Sequence, residues 1–130
     1  MNREDGLLPV FESFLAALER LKDALAQPKS QWTRDASIQR FEFTFELAWK
    51  SIRRFAAIEG LDTPSPRQAV RTAARLGWIE DVSLWLEMLD DRNRSSHTYN
   101  EATAESIYVH LPAYATAMEQ LIERLRRAAG

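Results

Sequence analysis

The chain has no cysteine, and it holds only four glycines and five prolines in 130 residues. Without thiols, disulfides, thiolate nucleophiles and cysteine-ligated zinc or iron–sulfur sites are excluded. Neither sign of charge dominates: 17 Lys+Arg stand against 19 Asp+Glu, for a net charge of −2. That excludes nucleic-acid binding by bulk charge, but leaves room for a local basic site. No apolar run approaches the roughly 18 residues of a membrane-span candidate, so no membrane contact is expected. Met1–Gly6 reads MNREDG, without the basic start and apolar run of a signal peptide, and none is expected. Repeats, low-complexity tracts and linkers are missing too. What remains is ordinary: 45% apolar and 28% charged residues, which argues against intrinsic disorder. The expectation is one domain over residues 1–130, large enough for a real core. A reducing cytoplasm suits it.

The apolar residues recur at helical spacing. Behind Pro9, which suits a first turn, Phe11, Phe14, Leu18, Leu21 and Leu25 form one stripe. Gln27-Pro28-Lys29-Ser30 ends that helix. The second helix should start near Thr33 or Asp35, both good N-caps, and stop at Gly60. Its stripe is Ile38, Phe41, Phe45, Trp49, Ile52 and Ala56. Phe43 and Leu47 lie on the opposite side, so this helix has two apolar faces. Either it is central and touched from both sides, or the second face meets a partner or another copy. Ser65-Pro66-Arg67-Gln68 reads as a capping box with proline at the first helical position, and Gly77 closes the short helix that follows. A fourth helix begins near Asp81 and carries Leu84, Trp85, Met88 and Leu89. The last runs from near Asn100 or Thr103 through Ile107, Leu111, Tyr114, Met118 and Leu125, with a kink expected at Pro112. No segment alternates with period two. The fold class is all-α: an antiparallel up-and-down four-helix bundle with an additional short helix.

Candidate chemistry concentrates in Asp90–Tyr99. Arg92 follows Trp85, Met88 and Leu89 by seven, four and three residues, so it lies along the apolar stripe. A guanidinium there keeps its charge and needs a partner. The plain reading is an ion pair with a carboxylate on a neighbouring helix. His97 lies five residues on, about 140° away around a continuous helix. The two share a face only if the helix ends or bends between them, or if each meets its counterpart across a two-fold axis. Ser95, Ser96 and Thr98 favour an end, because such side chains compete with the helical ladder. His110 sits near the core edge of the last helix and receives no role. Arg67, Arg71 and Arg75 recur every four residues; they form a solvated face or an RNA-backbone track. No metal cluster is visible, and no cofactor is expected.

Arg92-Asn93, a three-residue spacer, His97 and then Tyr99 resemble the HEPN superfamily motif. The surrounding string is similar to one branch, the nucleotidyltransferase substrate-binding proteins. Phe41-Glu42, Glu46-Leu47, Trp49-Lys50, Ser65-Pro66-Arg67, Gly77-Trp78-Ile79, Asp91–Arg94 and His97–Glu101 carry that likeness from about Trp32 to Leu125. The resemblance implies a helical bundle, a homodimer with the motif near its cleft, and a minimal nucleotidyltransferase as partner or antitoxin. It further implies a metal-independent ribonuclease toxin that the partner silences by transferring AMP to Tyr99. Arg92, Asn93 and His97 would then be catalytic. The chemistry fits these residue types. Histidine can exchange protons near neutral pH, and a fixed guanidinium matches the charge that builds on a phosphate. Two alternatives stand beside this reading. One is a non-catalytic substrate-binding or scaffold subunit of a nucleotidyltransferase complex. The other is a purely structural helical dimer with Arg92 in an internal ion pair.

Overall fold

The computed structural model describes residues 8–129, and every regular element among them is helical. Met1–Gly6, where no signal peptide is expected, lies outside the described residues. In chain order the elements are α1 (Leu8–Leu25), α2 (Gln31–Ile58), α3 (Pro66–Arg75), α4 (Val82–Arg94), a 3₁₀ turn (Ser95–His97), α5 (Glu101–Tyr108) and α6 (Leu111–Ala129). The longer helices α1, α2, α4 and α6 form the antiparallel bundle. The short α3 and α5 both lie against α2, the central helix, which touches all the others. No described helix is long and apolar enough to cross a membrane.

The expected stripes face inward. Phe14, Leu18 and Leu21 of α1 pack with Phe41, Phe45 and Ile52 of α2 and with Met118, Leu121 and Leu125 of α6. Aromatic pairs fasten the layers: Phe41 stacks on Tyr114 at 5.3 Å, and Phe45 meets Trp85 at 6.4 Å. Each such pair contributes about 0.5–1.5 kcal/mol beyond its buried area. Together they hold α2 against α6 and α4, the helix that carries Arg92.

Local chemistry sets most helix ends. Ser65 caps α3 by accepting the Gln68 N–H at 3.3 Å, with Pro66 at the first position. Asp81 caps α4 through the Leu84 N–H at 3.0 Å. Gly60 and Gly77 take φ of 79° and 80° just past α2 and α3, where the chain turns out of the helix.

Two boundaries differ from expectation. The second helix starts earlier, capped by Ser30 rather than by Thr33 or Asp35. Thr33 instead closes a capping box, its hydroxyl accepting the Ser30 N–H at 2.8 Å while Ser30 Oγ accepts the Thr33 N–H at 3.1 Å. The last helix is two helices rather than one kinked helix. α5 stops at Tyr108, and Pro112 falls in the first turn of α6, where an N–H has no intrahelical acceptor to lose.

Arg34, only 4% exposed, ties the start of α2 to α5. Its guanidinium donates to Glu101 at 2.7 Å and to Glu105 at 3.1 Å, while Lys29 also reaches Glu105 at 2.7 Å. These bonds hold both carboxyls below their ordinary value of 4.5: Arg34 chiefly for Glu101, Lys29 and then Arg34 for Glu105. A carboxyl whose pKa is lower folded than unfolded stabilises the fold above the unfolded value. That stabilisation is lost as pH falls through the folded value. The wild-type urea midpoint should therefore fall between about pH 6 and about pH 3, and Arg34→Met should flatten that fall. Parallel curves for the two proteins would remove Arg34 from that role.

Candidate functional site

The end of α4 builds the site. Ser95 Oγ donates to the Arg92 carbonyl at 2.6 Å, and Ser96 Oγ to the Asn93 carbonyl at 3.3 Å. These hydroxyls occupy carbonyls that the next helical turn would use, and the chain tightens into the 3₁₀ turn at Ser95–His97. The helix thus ends between Arg92 and His97, one of the two arrangements that their spacing allows.

Arg92 is half-buried and has a partner on a neighbouring helix. Its guanidinium is ion-paired with Glu46 of α2, and Nη1 donates to Asn93 Oδ1 at 3.2 Å. Glu46 is itself fixed: Trp49 Nε1 donates to it at 3.0 Å, and Lys50 lies 3.8 Å away. The ion pair expected of a structural arginine is therefore present. It is also what orients the guanidinium beside Asn93. Arg92 keeps about a third of its side-chain surface open, 31%, so it is not sealed off.

His97 and Tyr99 form the second half of the site. His97 Nδ1 lies 3.2 Å from the Tyr99 hydroxyl, and the rings meet edge-on at 5.7 Å. Both are exposed, Tyr99 to 82%. A tyrosine so displayed contributes little to the core, and its hydroxyl is reachable from solvent. The structure joins Arg92 to Asn93 and His97 to Tyr99, and it places the two pairs on successive turns. Arg67, Arg71 and Arg75 are all exposed on α3, away from this segment in the chain.

The second face of α2 is only partly covered. Phe43 is 58% exposed although α2 is central. With Leu47, Ala16 and Ala17 it lines a groove of about 700 Å³ between α1 and α2. Arg20, Arg40 and Glu46 add charge at that groove, so the carboxylate that holds Arg92 also borders it.

One cluster went unnoticed in the sequence. Asp91, 1% exposed, accepts from Tyr114 at 2.6 Å and lies 2.8 Å from His110 Nδ1 through Oδ2. Its other oxygen accepts from Arg94 at 3.0 Å. Burial first, and then the bond to Asp91, raises the Tyr114 pKa and keeps its hydroxyl a donor. His110, given no role above, is thus bound to the residue next to Arg92. The available signal was Asp91 itself. It follows Met88 by three and Leu84 by seven, so it sits on a buried face and needs partners.

Residues 10–127 match the model of a family described as nucleotidyltransferase substrate binding protein like. A Haemophilus influenzae protein named "Probable ribonuclease HepT" is 32% identical over 96 residues. That match covers 70% of this chain and 66% of the relative, just under two thirds of its length. A crystal structure from Thermus thermophilus superposes with a TM-score of 0.83 at 44% identity, covering 87% of this chain and 98% of that one. A second structure, from Haemophilus influenzae, is described as revealing the fold of a substrate binding domain of a nucleotidyltransferase. It superposes with a TM-score of 0.68 at 28% identity, covering 96% of this chain and 99% of that one.

Proposed function

We propose a function from one premise: this chain belongs to the nucleotidyltransferase substrate binding protein like family. The chain is a single HEPN-type unit that partners a minimal nucleotidyltransferase. It acts as a metal-independent endoribonuclease toxin, and the partner silences it by AMP transfer to Tyr99. The observation that carries this reading is the pairing of an exposed His97 with an exposed Tyr99 at 3.2 Å, one turn beyond Arg92. The named ribonuclease relative supports it.

Cleavage needs three things of the protein. The RNA 2′-hydroxyl must lose a proton as it attacks the adjacent phosphorus. The departing 5′-oxygen must gain one. The charge on the phosphate between them must be matched. His97 exchanges the protons, a second copy's His97 supplying the other step across a dimer. Arg92, with Asn93 beside it, faces the phosphate. The exposed face around Phe43 and Leu47 supports a second copy as occupant of the groove, and Arg67, Arg71 and Arg75 offer a track for the RNA backbone.

Silencing uses the same pair. The Tyr99 oxygen attacks the α-phosphorus of ATP and displaces pyrophosphate, while its proton passes to a base. His97 Nδ1 already sits at hydrogen-bond distance from that hydroxyl. The AMP then places a phosphate and a base where RNA would lie.

The test is an intact-mass spectrum after co-expression with the partner nucleotidyltransferase, wild type beside Tyr99→Phe. Added AMP units on the wild type alone are the expected result. Two unmodified masses, with the proteins still copurifying, would overturn the AMP-acceptor role. They would favour a non-catalytic binding subunit; the engaged Arg92–Glu46 pair is instead what a purely structural helical dimer requires.

A further inference from the structure

We propose that Glu87, Asp91 and His110 form a binding site for a divalent transition ion of zinc's kind, which braces the end of α4 against the start of α6. The three donor atoms lie within 4.8 Å of one another. His110 Nδ1 is 2.8 Å from Asp91 Oδ2 and 3.4 Å from Glu87 Oε1. Zinc ligands at bond lengths of about 2.0–2.1 Å stand roughly 3.4 Å apart in a tetrahedron. The two His110 separations lie near that value, and a side-chain rotation of the half-exposed Glu87 would bring its carboxylate to the same spacing.

The arrangement around these atoms favours a cation over hydrogen bonds alone. Two carboxylate oxygens, Asp91 Oδ2 and Glu87 Oε1, face the one nitrogen His110 Nδ1. That nitrogen carries at most one proton and cannot serve both fully. A metal ion, by contrast, takes several donors at once. Asp91 is held as a ligand should be. Tyr114 donates to Oδ2 and Arg94 to Oδ1, which fixes the carboxylate plane and leaves a lone pair directed at His110. Glu87 and Asp91 are four residues apart on one face of α4, and their backbone is rigid helix. Mixed imidazole and carboxylate donors suit zinc or a neighbouring transition ion rather than magnesium or calcium, which prefer oxygen alone. Solvent reaches the site past Glu87 and His110, whose side chains are 46% and 37% exposed, so water can complete the coordination.

The brace joins Glu87 and Asp91, the residue next to Arg92, to the turn ahead of α6, and it stands whether or not the chain cuts RNA. The experiment is calorimetric titration of zinc chloride into chelator-stripped full-length protein, with melting curves in parallel. One saturable ion per chain is expected, with a rise in melting temperature of about 5 °C at saturation. Glu87→Gln and His110→Gln, both at half-exposed positions, should each fold and weaken zinc binding by at least about tenfold. His97→Gln should leave it intact. No saturable binding, binding unchanged in His110→Gln, or binding lost instead in His97→Gln would each overturn the site.

Discussion

His97→Ala is expected to leave a folded protein whose RNA cleavage is slower by about 10²–10⁴-fold, the usual contribution of a positioned acid or base. The side chain is exposed, and its hydrogen bond among the described residues is to Tyr99. Removing it disturbs no core contact, so stability should stay within about 0.5 kcal/mol of wild type. Arg92→Ala is a different experiment. It removes the group that faces the phosphate, expected to cost about 10²–10³-fold in rate, but it also strips Glu46 of its ion-pair partner. Because that pair is partly exposed, its contribution to stability is modest. The two roles of Arg92 separate on this point. Loss of cleavage with a near-normal urea midpoint marks an active-site arginine. Intact cleavage with a lowered midpoint marks a structural one. Cleavage by His97→Ala at the wild-type rate would retire the ribonuclease assignment of that residue.

The bundle was legible because its signals are local. Stripes at three- and four-residue spacing report a buried face without knowledge of what covers it, and Ser65, Asp81, Gly60 and Gly77 terminate helices through contacts only a few residues long. Even the break after Arg92 is written locally, in Ser95 and Ser96. The boundaries that moved were also local, but two signals competed there. Ser30 and Thr33 are both capping residues, and their reciprocal bond makes the earlier one the cap. Pro112 ended up starting a helix because the residues before it had already left one. The site was less legible, since its contacts span the chain. Glu46 meets Arg92 across 46 residues, and Asp91 meets His110 and Tyr114 across 19 and 23. Periodicity states that Arg92 needs a partner, not which carboxylate provides it. The same limit hid His110, whose partner became visible only once α4 and α6 were packed together.

Asp91→Ala should be the most destabilising substitution around the site, at about 2–4 kcal/mol, because three groups lose their acceptor at once. The Tyr114 hydroxyl is the costly one, because that side chain is wholly buried and an unsatisfied buried donor costs about 1–3 kcal/mol. Arg94 is 45% exposed and can turn to water, so its loss is discounted. His110 is likewise half-exposed. Removing a buried side chain adds a cavity penalty. Urea unfolding in the presence of chelator measures this contribution without any bound ion. The control is Tyr114→Phe, which deletes the donor and keeps the ring that stacks on Phe41. In the Tyr114→Phe background, Asp91→Ala should cost less than in the wild type, the difference being the coupling between the two groups. Additive losses would show that Asp91 acts through packing alone. A large coupling would mean that the residue beside Arg92 is anchored to α6 by hydrogen bonding. The motif's position would then be set by a helix that contributes none of the motif's own residues.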